Sequence, residues 1–138
     1  MKVITLDNYH SSSFSNISTR VYVLILGILA GLAGMAHGIF EILQGNKPTE
    51  DILVRIGAYT IIPNYLVTGT VTVVFSVLIL IWTIGFIHKN NGTIVYLLLI
   101  IILFSVGGGI APIIGLLIAW AVATRIDKSL TWWKNVLP

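Results

Sequence analysis

The chain of 138 residues contains no cysteine. That excludes thiol–disulfide catalysis and any thiolate-bound metal. Charge is also scarce: 9% of residues are Asp, Glu, Lys or Arg, against about 25% in soluble domains. Apolar residues fill the space, at 57% of the chain with a mean hydropathy of +0.98, which places it among lipid-embedded proteins. The net charge of +3 therefore reads as membrane topology rather than nucleic-acid binding. Residues 1–19 are polar and rich in Ser and Asn. No cleavable signal is expected there, and the first apolar run should serve as its own insertion signal.

A membrane-spanning helix needs about 20 mostly apolar residues. The first candidate runs from Arg20 to Leu43, with Ser18 or Thr19 as N-cap. The second runs from Pro63 to Ile87, with Pro63 in the first turn, where its missing N–H costs nothing. His88-Lys89-Asn90-Asn91-Gly92 makes a short turn. The stretch 93–124 would be about 48 Å long as one helix, far more than a hydrocarbon core of about 30 Å. Gly107-Gly108-Gly109 and Pro112 break it near the middle, which predicts two short spans. With four spans, Lys2, Arg20, Lys89, Arg125, Lys128 and Lys134 share one side, and Lys47 and Arg55 take the other. The positive-inside rule then puts both termini in the cytoplasm. Two amphipathic segments should lie along the interface: residues 49–60 on the outer face, and the Trp- and Lys-bearing tail 125–138 on the inner one. The expected organisation is all-α: a polar cytoplasmic segment 1–19, an integral membrane four-helix bundle 20–124 with a short outer interfacial helix and short third and fourth spans, and the tail.

Polar residues within the apolar runs are few. Glu41 is a carboxyl inside a hydrophobic segment, where such groups are rare and usually functional. Counted from Arg20 it lies about 31 Å along the helix, near the outer rim. His37 is its i−4 neighbour, but His and Glu alone are too few for a metal site. Gly27, Gly31, Gly34 and Gly38 form one seam, a packing surface whose partner the sequence does not name. Asn64, Thr68, Thr72 and Ser76 repeat every four residues along the second span. They either bond within the bundle or line a cavity. Depth places Glu41, His37, Gln44, Asn64 and Thr68 around a polar recess that opens outward.

Three elements carry a resemblance: Gly34-x-x-His37-Gly38-x-x-Glu41-x-x-Gln44-Gly45-Asn46, then Ile61-Ile62-Pro63-Asn64-x-Leu66-x-Thr68-Gly69, then Gly107-Gly108-Gly109-x-x-Pro112-x-x-Gly115 followed by Ala123-Thr124-Arg125. In these the chain resembles a family of small four-span bacterial membrane proteins of uncharacterised function, which supplies no activity to carry over. Small multidrug exporters are similar in architecture alone, with four spans and one glutamate in the first. The expectation is a multi-pass protein without catalytic activity or cofactor, homo-oligomeric or an accessory subunit. Its recess would bind a small ligand, an ion or a partner helix. The alternative is a small proton-coupled transporter or channel with Glu41 as its protonatable group. A haem- or metal-binding subunit is a third class.

Overall fold

The computed structural model describes residues 6–49 and 60–126, with side chains from residue 17 onward. It contains α1 (Leu6–Leu43), α2 (Tyr65–Gly85), α3 (Gly92–Ser105) and α4 (Ile110–Ala123), and the described residues form no strand. Runs this apolar become helices because each helix satisfies its own backbone hydrogen bonds, as a chain removed from water must. Two stretches, Ile17–Leu43 and Tyr65–Gly85, are long and apolar enough to cross a membrane. The segment 93–124 is divided as its length demanded. α3 and α4 have 14 residues each, about 21 Å.

The reversal between them depends on glycine. Gly107 and Gly109 adopt φ of 107° and 76°, which side chains on L residues disfavour. The Gly108 N–H closes the end of α3 on the Leu103 carbonyl at 2.8 Å. Pro112 is not part of the break; it lies in the first turn of α4, where no hydrogen bond is lost.

α1 packs on α2 and α4, and α3 packs on the same two, while the diagonal pairs make no close backbone approach. The four helices form an up-and-down ring. The glycine seam of α1 faces α2. A Cβ on Gly38 would lie 2.9 Å from the Gly69 carbonyl, and one on Gly34 would lie 2.9 Å from Ser76 Oγ. Further along, Gly31 meets Leu80 and Gly27 meets Thr83 and the Tyr96 hydroxyl. The α1–α4 contact is looser, with Gly115 opposite Ala30.

The core between the helices is Val23, Ile79, Tyr96, Ile100, Leu103, Leu116 and Ala119. Outward stand Leu29, Phe40, Leu43, Ile84 and Ile94, an apolar exterior that suits hydrocarbon rather than water. At the end of the bundle where α3 begins, two indoles fix the hairpin. Trp82 Nε1 donates to the Gly92 carbonyl at 2.8 Å, and Trp120 Nε1 donates to that of Thr93 at 3.1 Å.

Several boundaries differ from expectation. α1 does not begin at Arg20 with a cap at Ser18 or Thr19; the helix continues back to Leu6, through most of the segment 1–19. Polar side chains are compatible with a helix, so composition alone did not mark its start. Pro63 precedes α2 rather than opening it, and Asn64 is the cap. The expected outer helix 49–60 and inner tail 125–138 fall, except for their first residues and Thr60, outside the described residues.

Candidate functional site

Glu41 lies in the last turn of α1, and its side chain is 1% exposed. It is buried because α2 comes unusually close. Gly69 has no side chain, and a Cβ there would stand 2.9 Å from the Glu41 Cβ. Gly107 covers the carboxyl from the other side. A Cβ on Gly107 would fall 2.9 Å from Glu41 Oε1, 3.2 Å from Oε2 and 3.4 Å from Thr68 Oγ1. Three oxygens thus converge over the bare face of one glycine.

Thr68 and Thr72 do not bond back to their own helix. Both donate to the Val106 carbonyl at the end of α3, at 2.8 and 3.0 Å. That carbonyl is one of the orphan acceptors every helix leaves at its C-terminus. Thr60 meets Thr68 through their hydroxyls and accepts from the Ile62 N–H at 3.0 Å. The Ile61 N–H donates to the Ser105 carbonyl, which lays residues 60–62 across the top of the α3–α4 hairpin. By contrast, Thr70 and Thr83 donate to carbonyls of their own helix, those of Leu66 and Ile79.

Thr72 is also the hydroxyl that reaches the Glu41 carboxyl, so its one hydrogen has two acceptors within reach, the Val106 carbonyl and Glu41. Glu41 Oε2 has no hydrogen-bond partner among the described residues, and neither has His37 Nε2, which stands 3.6 Å from Glu41 Oε1. The last turn of α1 contains no basic residue. A carboxylate here would face the negative ends of α1 and α3, which favour a positive charge beside it. His37 is the member of the site that reaches the surface, at 16% exposure, and its ring lies against Gly109.

Of the residues the sequence grouped around a recess, the structure keeps Glu41, His37 and Thr68 together. Gln44 is exposed and donates only to the Phe40 carbonyl at 3.4 Å. Asn64 caps α2, accepting from the N–H groups of Leu66 and Val67, and its amide donates to Asn46. Both share the depth of Glu41 but not its face. The recess itself is filled by the α3–α4 turn. Sequence reading had Thr72 in the polar stripe but missed Val106 and Tyr96. Val106 acts through its backbone, which has no side-chain signature. Tyr96 carries a lone hydroxyl in an otherwise aliphatic run, and that was a usable signal. Its hydroxyl pairs with that of Thr83 at 3.3 Å, where Tyr96 donates because the Thr83 hydrogen goes to Ile79. No family model, no curated protein and no solved structure matches the chain.

Proposed function

We propose that this chain is a multi-pass membrane protein that binds a single small ion at Glu41, without a catalytic step. The observation that carries the reading is the buried Glu41 Oε2, which has no hydrogen-bond partner among the described residues. Gly69 and Gly107 enclose the carboxyl so closely that an atom-sized guest suits the site better than a molecule. In this reading the site faces outward. The charge bias supports that orientation, with Arg20, Lys89 and Arg125 toward the cytoplasm and Lys47 outside. His37 is the way in for the ion.

A hydrophobic carbodiimide, which reacts with protonated carboxyls in apolar surroundings, tests the reading. Folded protein in lipid nanodiscs should be modified at Glu41, as mapped by mass spectrometry, and Glu41→Gln should lose that product. Modification of Glu41 only after unfolding would overturn the proposal.

A transport reading has one observation in its favour. The buried hydroxyls of Thr68, Thr72 and Ser76 continue from Glu41 toward Thr83 and Tyr96. Leu80 interrupts them, seated on Gly31 between Ser76 and Thr83. Proton or cation flux into liposomes that disappears in Glu41→Gln would establish transport; flux equal to that of empty liposomes leaves binding.

A further inference from the structure

We infer that the Glu41 site takes an alkali-metal cation of the Na⁺ class. The inference rests on the ion-site reading above and names the ion. Three features point to it. The first is the donor set. Hard cations are held by oxygen, and the Glu41 carboxyl oxygens and Thr68 Oγ1 converge over the bare face of Gly107. Thr72 reaches the same carboxyl.

The second is the pair of threonines. Both hydroxyls lie within hydrogen-bond reach of the Val106 carbonyl, which holds two neutral oxygens beside the carboxyl. A hydroxyl oxygen can ligate a cation through its lone pairs. The third is backbone polarity. α1 ends two residues beyond Glu41, and α3 ends at Ser105, with its terminal carbonyls beside the threonines. Helix ends of this sign and unwound carbonyls are what membrane proteins use to hold Na⁺. Glu41 Oε2, in a residue that is 1% exposed, is a buried polar atom without a partner among the described residues, as are His37 Nε2 and Ser76 Oγ.

α2 meets Glu41 with Thr68, Gly69 and Thr72, the α3–α4 connection meets it with Gly107, and Thr60 stands behind Thr68. His37 stands 3.6 Å from the carboxyl, and no lysine or arginine among the described residues forms a salt bridge with it.

The experiment measures carbodiimide modification of Glu41 in nanodiscs at fixed pH and ionic strength, with Na⁺ replaced stepwise by choline. The expected result is a several-fold, saturable slowing by Na⁺ and none by choline. Thr72→Val should weaken the Na⁺ effect while Glu41 is still modified in choline, and Thr72→Ser should restore it. Radioactive ²²Na⁺ should bind wild-type protein at one ion per chain and fail to bind Glu41→Gln. Modification that proceeds equally in Na⁺ and choline, together with no ²²Na⁺ binding, would overturn the cation and leave a proton site. Absence of any modification in folded protein, also without ²²Na⁺ binding, would overturn both readings.

Discussion

Val106 matters in this protein through its carbonyl oxygen, which gathers the hydroxyls of Thr68 and Thr72 beside Glu41. Thr72→Val removes one of those donors and should destabilise the fold by about 1–2 kcal/mol. Thr70→Val is the control, because its exposed hydroxyl bonds only to Leu66 of its own helix, and it should change little. Thermal melts in the same detergent compare the two. Gly107→Ala should be more damaging. It places a side chain where φ is 107° and drives a Cβ to 2.9 Å from Glu41 Oε1. The backbone strain alone costs about 1–2 kcal/mol. The carboxyl must also move, so carbodiimide modification of Glu41 should change together with the melting temperature. Asn64→Ala should cost about 1 kcal/mol through loss of the α2 cap. It should leave Glu41 modification unchanged, since Asn64 serves the helix rather than the carboxyl.

Among the helices, the tightest approach is between α1 and α2. Gly38→Ala or Gly69→Ala would push a methyl into the facing backbone, so both should lower the melting temperature strongly. Gly85→Ala meets nothing within 4 Å and should be neutral or stabilising by less than about 1 kcal/mol. This opposite outcome for one chemical change, read by thermal melts, tests the seam. The seam was legible in the sequence because helical periodicity reveals which residues share a face. Its partner was not, because periodicity says nothing about what that face meets. The division of 93–124 was legible for a different reason: its length exceeds the membrane, and three glycines mark the turn. Asn64 and Gln44 were misplaced by the same reasoning that placed Glu41. Counting residues gives height along a helix, whereas membership of a site also depends on how the helices are rotated against one another. The enclosure of Glu41 was hidden too, since it depends on Gly69 and Gly107 approaching from distant parts of the chain.

For the molecule as a whole, the lack of cysteine is an experimental advantage. Single cysteines introduced at exposed Lys47 and Lys89, which lie at opposite ends of the bundle, would be the sole thiols in the chain. In intact cells a membrane-impermeant maleimide should label Lys47→Cys, and Lys89→Cys only after permeabilisation. The reverse pattern would invert the proposed orientation. The ring of four helices also divides its length unevenly. The Glu41 site occupies one end, and Leu80 on Gly31 closes it off from the Thr83 and Tyr96 hydroxyls further along. That seal has an electrical consequence. A charge carried through the whole membrane field changes energy by about 2.3 kcal/mol per 100 mV. Glu41 is about 3 Å from the end of α1, roughly one tenth of a 30 Å core, so an ion arriving there feels only a few tenths of a kcal/mol per 100 mV. In the proposed orientation, occupancy of the proposed site should therefore follow the composition of the outside solution and be nearly indifferent to membrane voltage.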